Sequence, residues 1–299
     1  MSSNVNVDMM RDKPVNQSVR NYRRGGGISL YSLIILSVVI WVSPQQLISQ
    51  DLEVPYVATP DEVVNKMLDI ANAGSGDYLI DLGSGDGRIV IEAARRGAVG
   101  HGVELDSRLV ETSFKNAVEA GVSDRVLFLE EDIFETDFSM ATVITLYMSN
   151  AINLRLRPLL FEKLRPGTRV VSHIFHMDDW KPDGQSSVDR HNIYYWVIPA
   201  DAGGEWEWEM DGLTYKLSLD QEFQVIQKAG IEVSESGNKP QISESEINGD
   251  RITFVLKNER ENLKQVFNGR VEGDSLIGTA QIHKDGRYQL VSWQAFRLR

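Results

Sequence analysis

The stretch Tyr78-Leu79-Ile80-Asp81-Leu82-Gly83-Ser84-Gly85-Asp86-Gly87-Arg88-Ile89-Val90 decides how this chain folds. Its first five residues are apolar around a single acid and read as a buried strand. They run into a turn with three glycines, and a helical pattern begins at Arg88. Glycines in such a turn let the backbone come close to a ligand, and the helix behind it presents its N-terminus. A G-x-G-x-G taken alone is weak; its place between strand and helix makes it informative.

The flanking sequence repeats the alternation. Upstream, Thr59-Pro60-Asp61-Glu62 predicts a helix start, with Thr59 as cap, Pro60 in the first helical position and Glu62 completing a capping box. That helix is expected to reach about Asn72. Downstream the expectation is a helix over Arg88–Arg96, a strand over Ala98–Glu104 and a helix over Ser107–Ala120 capped by Asp106. Strands Arg125–Leu129 and Thr142–Tyr147, helix Asn150–Leu164 and strand Thr168–Ile174 complete the series. Strands separated by helices of this length imply right-handed crossovers and a mostly parallel sheet, an α/β fold. After Pro199 the texture changes. Asp201–Gly204 reads as a linker, and most later runs alternate at period two, as in Tyr215/Leu217/Leu219 and Ile252/Phe254/Leu256. Turn signals stand at Asp211-Gly212, Asn248-Gly249-Asp250, Asn268-Gly269, Gly273-Asp274 and Asp285-Gly286. The expected organisation is an N-terminal segment over 1–50, an α/β domain over 51–200 and a small antiparallel β-domain, sandwich or barrel, over 201–299.

Acids gather at one edge of the expected sheet. Glu104 ends the next strand, 23 residues beyond Asp81, where a carboxylate can accept both hydroxyls of a ribose. Asp132, followed by Ile133, closes the third strand at the same carboxyl edge. A dinucleotide turn has the spacing G-x-G-x-x-G and cradles a pyrophosphate. Here the third glycine comes one residue early, and Asp81 and Asp86 flank the turn. Such acids repel a pyrophosphate and suit a ligand carrying an ammonium and a sulfonium, which describes S-adenosylmethionine.

At these residues a resemblance becomes definite. Asp81–Gly87 resembles motif I of the class I, seven-strand S-adenosylmethionine-dependent methyltransferases, with Glu104 and Asp132 at the acids after the second and third strands. Pro55-Tyr56-Val57-Ala58-Thr59-Pro60 and Asp81–Val90 are similar to the protein-lysine methyltransferases that modify the c chain of mitochondrial ATP synthase, and to their shorter bacterial relatives. The resemblance covers about residues 53–183. It implies a Rossmann-like methyltransferase domain with S-adenosyl-L-methionine as cofactor. It also implies cofactor binding by Tyr56, Thr59, Asp81, Gly83, Ser84, Gly85, Gly87, Glu104, Asp132 and Ile133, with Tyr56 and Thr59 on the methionine part. The implied acceptor is a lysine side chain of a protein or peptide. Thr145-Leu146-Tyr147 departs from the mitochondrial pattern, so the identity of that protein does not carry over, and the β-domain lies outside the resemblance altogether.

Methyl transfer from a sulfonium is an in-line displacement, so the protein contributes binding, orientation and exclusion of water. Tyr147, at the carboxyl end of the fourth strand, is the expected catalytic residue, its hydroxyl and ring placing the acceptor nitrogen. His173 and His176 with Asp178 and Asp179 lack a third well-spaced ligand, so no metal is assigned. Trp206 and Trp208 share one face of a strand and read as core in preference to an aromatic platform for a peptide or sugar. The β-domain is expected to recruit substrate or to cover the active site. Two other readings are a small-molecule methyltransferase and a non-catalytic binding protein that works through the β-domain.

Composition sets the outer bounds. The 299 residues include 31 basic and 43 acidic side chains, a net charge of −12, distributed as +3 over 1–50, −10 over 51–200 and −5 over 201–299. An acidic body is repelled by phosphate backbones, which argues against nucleic acid as a partner. There is no cysteine, which removes disulfides, thiolate metal sites and cysteine nucleophiles. Residues 1–50 place Arg20, Arg23 and Arg24 before an apolar run from Ile28 to Val42, with Asp51 and Glu53 after it. That order predicts export, periplasmic or extracellular, by a cleaved signal, or membrane attachment through residues 28–48.

Overall fold

In the computed structural model Tyr78–Leu82 forms β1, an interior strand of a seven-stranded sheet, with Leu79, Ile80 and Leu82 wholly buried. The structure describes residues 56–234 and 240–298; the expected signal or anchor over 1–50 lies outside them. Among the described residues no helix is long and apolar enough to cross a membrane.

The first half runs α1 (Asp61–Ile70), β1, α2 (Arg88–Arg95), β2 (Val99–Glu104), α3 (Ser107–Glu119), β3 (Val126–Glu130), β4 (Val143–Leu146), α4 (Asn150–Lys163), β5 (Arg169–His173), β6 (Gly184–Val188) and β7 (His191–Val197). The strand order is β3-β2-β1-β4-β5-β7-β6. The first five pair in parallel, while β7 runs antiparallel to both β5 and β6. The order reverses between β1 and β4, so the carboxyl ends of these two strands border the crevice where open α/β sheets bind ligands. Both faces are covered: Val63, Met67, Leu68 and Val90 pack on one, Phe138, Ile152, Leu156 and Trp196 on the other.

Most expected elements stand within a residue or two of their sequence reading, and Asp106 caps α3 by accepting the Arg108 N–H. In this half one local expectation fails and one strand pair goes unread. Helix α1 starts at Asp61 behind Pro60 with no side-chain cap, because the Thr59 hydroxyl is engaged by His173 on β5 instead. The β6–β7 pair at the end of the sheet is absent from the strand series read in the sequence, since Gly184-Gln-Ser-Ser-Val188 shows no apolar period.

The second half is one meander of eight antiparallel strands, in the order β10-β9-β8-β15-β14-β13-β12-β11. They are β8 (Gly204–Met210), β9 (Leu213–Glu222), β10 (Val225–Val233), β11 (Gln241–Asn248), β12 (Arg251–Asn258), β13 (Leu263–Glu272), β14 (Ser275–Lys284) and β15 (Arg287–Arg297). Strands β8 and β15 pair, and the end strands β10 and β11 lie against one another. The sheet therefore rolls around a single aromatic core of Trp206, Trp208, Phe254, Phe267 and Trp293. Asp211-Gly212 and Asp285-Gly286 make two-residue turns with positive φ at both positions. Asn268-Gly269, expected as a turn, lies inside β13: a Cβ on Gly269 would come within 3.1 Å of Trp293, so this glycine makes room for an indole.

The rolled sheet is fixed to the amino edge of the first one. The β11–β12 turn brings Gly249 against Gly167, just before β5, and the Gly249 carbonyl accepts the Ala200 N–H at 2.8 Å. Gln224 on the β9–β10 turn donates to Asp183, and Phe223 stacks on Phe161 and Trp180 at 5.8 and 6.1 Å between centroids. The expectation that the β-domain covers the active site is therefore not met; these contacts lie opposite the carboxyl edge. Gly249 has φ +57, and a Cβ there would stand 2.9 Å from the Gly167 Cα. Replacing it by valine combines backbone strain with overpacking, a loss of about 1–3 kcal/mol. Thermal denaturation of Gly249→Val should show a midpoint several degrees lower; an unchanged midpoint would remove this contact as the anchor.

Candidate active site

Three glycines shape the turn after β1. Gly83, Gly85 and Gly87 have φ of +81°, +55° and +80°, a region that L side chains avoid. A Cβ on Gly83 would fall 2.5 Å from the Met148 sulfur, and one on Gly87 would fall 2.7 Å from the Phe128 ring. At Gly85 the same space is taken by the ring of Tyr56. The turn is locked to β2 by the Val103 carbonyl, which accepts the Gly83 and Ser84 N–H groups at 2.8 and 2.9 Å.

Glu104 is oriented by backbone. Its Oε2 accepts the Gly85 N–H at 2.9 Å, and Oε1 accepts those of Leu105 and Asp106 at 2.8 and 3.0 Å. The carboxylate is thus fixed beside the turn with acceptor capacity remaining on Oε2. Asp81 is 2% exposed, and its Oδ1 accepts the Thr145 hydroxyl at 2.6 Å. Burial raises its pKa to about 7, the Thr145 bond opposes the shift, and the charges of Glu104 and Asp86 add to it. Among these neighbours alone, Asp81 therefore holds its proton up to near-neutral pH. A cation beside it would favour the ionised form.

Asp86 behaves differently. Burial pushes its pKa up, but the bond to the Arg88 guanidinium more than offsets this and leaves it below the ordinary carboxylate range. Arg88 pairs with Asp86 at 2.7 Å and donates to the Thr59 carbonyl at 2.8 Å, with Asp61 at 3.7 Å. One guanidinium thus ties the Tyr56–Pro60 loop to the glycine turn. The Tyr56 phenol lies near Asp86; burial, followed by the Asp86 charge, raises its pKa. The residue is 47% exposed, so it can change its contact without opening the core.

The remaining expected residues are placed less uniformly. Ser84 is buried with its hydroxyl unpartnered, and Asp132 is exposed at the end of β3, capping the Phe134 N–H at 2.9 Å. The Ile133 side chain belongs to the core with Leu82 and Val103. Tyr147 follows β4, packs at a tilt on His173 and stacks on Phe175, at 4.0 and 6.1 Å between centroids. Sequence reading did not single out Arg88, although it stands in the quoted motif, nor His191 and Met148, which carry no local signal; Thr145 figures there only as part of a departure from the mitochondrial pattern, not as a partner of Asp81. His173 has both ring nitrogens engaged, by Thr59 and His191, rather than turned toward His176 or Asp179. A cavity of about 550 Å³ lies between α1, α2 and α3, beside this edge, where Arg88 faces Asp61 and Arg95 pairs with Glu92.

The site fits S-adenosylmethionine on its own geometry: a glycine turn with bare backbone at three positive-φ positions, a carboxylate pre-set beside it, and a buried acid that a cation would ionise. Residues 81–184 match the family described as the ANTKMT methyltransferase domain. A protein-lysine N-methyltransferase of Saccharolobus islandicus (strain REY15A) is 40% identical over 153 residues, which cover 48% of this chain and 94% of that one. A lysine N-methyltransferase of Caenorhabditis elegans, named for the c chain of ATP synthase, is 34% identical, covering 47% and 80%. Among solved structures, an RNA methyltransferase from Salinibacter ruber in complex with S-adenosyl-L-homocysteine is 53% identical, with a TM-score of 0.48, covering 48% of this chain and 95% of that one.

If cofactor binding requires ionised Asp81, affinity for S-adenosylmethionine weakens about tenfold for each pH unit below about 7 and levels off above it. Isothermal titration between pH 5.5 and 8.5 should show this dependence in the unaltered chain. It should show a weaker, flat profile in Asp81→Asn; a flat profile in the unaltered chain would rule out the Asp81 contribution.

Proposed function

The chain belongs to the class I S-adenosylmethionine-dependent methyltransferases, and from that premise we propose that it is a protein-lysine N-methyltransferase. The observation that carries the reading is the 40% identity to a protein-lysine N-methyltransferase across 94% of that protein's length. The acidic α/β half supports it, since a net −10 over residues 51–200 attracts a cationic lysine-bearing segment. Each match covers about half of this chain, so the rolled β-sheet adds something those relatives' matched regions do not address.

In this reading Glu104 holds the ribose, the glycine turn admits the cofactor backbone closely, and Asp81 in its ionised form faces the ammonium. Tyr56 and Thr59 border the methionine part, held there by Arg88 through Asp86 and the Thr59 carbonyl. Asp132 and the Ile133 backbone stand at the far end, just past β3. When bound, the cofactor supplies an activated methyl group. Tyr147, packed against the His173 and Phe175 rings, positions the acceptor nitrogen at the carboxyl end of β4. The acceptor must be neutral to attack, so its proton has to leave before or during transfer.

Incubation of the chain with methyl-labelled S-adenosylmethionine and a library of lysine-centred peptides tests this, read by mass spectrometry of methyllysine. The expected result is methyllysine formation, lowered about 10²-fold or more by Glu104→Ala through lost cofactor affinity. Label appearing only in nucleic acid or in small molecules would contradict the lysine assignment.

A further inference from the structure

His173 is the last residue of β5, 0% exposed, and packed against the Tyr147 ring at a 37° tilt, 4.0 Å between centroids. Were it there only to fill space, a leucine or phenylalanine would do so without two ring nitrogens needing partners. Both nitrogens have them. Nδ1 lies 3.3 Å from the Thr59 hydroxyl, and Nε2 lies 2.9 Å from Nδ1 of His191. His191 opens β7 and is only half-buried. Each of the three groups can both donate and accept a proton. Together they form a line from the loop that borders the glycine turn, past the Tyr147 ring, to the surface.

We propose that Thr59, His173 and His191 form a proton relay that carries the acceptor amine's proton from the reaction centre to solvent. The proposal rests on the lysine reading above. One tautomer arrangement serves it: Thr59 donates to Nδ1 of His173, and His173 donates from Nε2 to Nδ1 of His191. In the transfer, the ammonium N–H bond breaks and its proton passes to the Thr59 oxygen, while the hydroxyl's own proton passes to Nδ1 of His173. The Nε2 proton of His173 moves to Nδ1 of His191, and His191 releases its Nε2 proton to water. One proton leaves, and the amine's lone pair is free to form the N–CH₃ bond as the S–CH₃ bond breaks. The rings then return to their first tautomers by rotation or by exchange with water.

Burial, with a smaller contribution from His191, lowers the pKa of His173 to about 4, so this imidazole passes a proton on rather than storing it. Other ionisable groups stand on the elements around the pair. They are Tyr147 after β4, Glu62 and Lys66 on α1, His176 after β5, Asp189 and Arg190 in the turn before His191, and Tyr194 and Tyr195 on β7. Arg88 reaches Thr59 through the carbonyl and leaves the hydroxyl free for the imidazole.

The test uses the full chain, the lysine-peptide library and single-turnover conditions between pH 6 and 9. His191 is the residue to change, because it is half-buried and its loss leaves the core intact. His191→Ala should lower the methylation rate about 10–100-fold at neutral pH, with S-adenosylmethionine affinity unchanged by titration calorimetry. Added imidazoles should restore the rate in order of their basicity, which simple filling of the gap would not produce. His191→Gln should remain slow although it retains hydrogen bonding. A rate and pH profile equal to the unaltered chain's, or rescue independent of the added base's pKa, would overturn the relay alone. Failure of the unaltered chain to methylate any lysine would remove the lysine reading, and the relay with it.

Discussion

Three side chains from distant parts of the sequence occupy the space that three Cβ atoms would take at the turn after β1. Met148 sits at Gly83, Tyr56 at Gly85, and Phe128 at Gly87. Each glycine also holds a positive φ, so neither the conformation nor the close packing tolerates a larger residue. The site grows out of this constraint. Because the turn has no side chains of its own at these positions, β3, β4 and the Tyr56–Pro60 loop all close onto its backbone. Glu104 can then reach the Gly85 N–H and be held beside it.

Around that turn the carboxylates are set to different tasks by their surroundings. Asp86 is neutralised by Arg88 and works as a structural link between loop and turn. Glu104 is fixed by three backbone N–H groups. Asp81, buried on a hydroxyl alone, keeps its proton until a cation arrives. For the protein by itself this raised pKa means that ionising Asp81 opposes folding. The fold gains most from this group when it is protonated, below the ordinary carboxylate range, and loses that gain as pH rises toward about 7. The charge of a cationic ligand reverses the penalty. Ligand binding and stability are therefore coupled at one residue.

What the sequence made legible was local. The turn after β1 announces itself through three glycines, the caps through residues such as Asp106, and the strand–helix alternation through hydrophobic period. What escaped was set by distant partners. Thr59 carries every local mark of a helix cap, yet its hydroxyl is used by a histidine 114 residues away. Asn268-Gly269 has the composition of a turn but serves as a gap for Trp293 within a strand. Period-two alternation is the same in a sandwich and in a rolled sheet, so only the β8–β15 pairing distinguishes them. The docking of that sheet on the amino edge depends on Phe223, Gln224 and Gly249, turn residues whose function no spacing rule exposes. Of the site, the carboxylates and glycines were readable as a motif. Arg88 stands inside that motif, but its partners at Thr59 and Asp61 emerge only in the fold, and His191 became visible only once β7 was placed beside β5.

Every assignment above depends on the carboxyl edge between β1 and β4 being the cofactor site. The most direct measurement is a crystal structure of the chain with S-adenosyl-L-homocysteine. The predicted result is ribose hydroxyls within hydrogen-bonding distance of Glu104, the amino acid moiety beside Asp81 and Gly83, and the Tyr56 loop closed over it. A ligand seated elsewhere, such as the cavity between α1, α2 and α3, or bound without contact to Glu104, would contradict it.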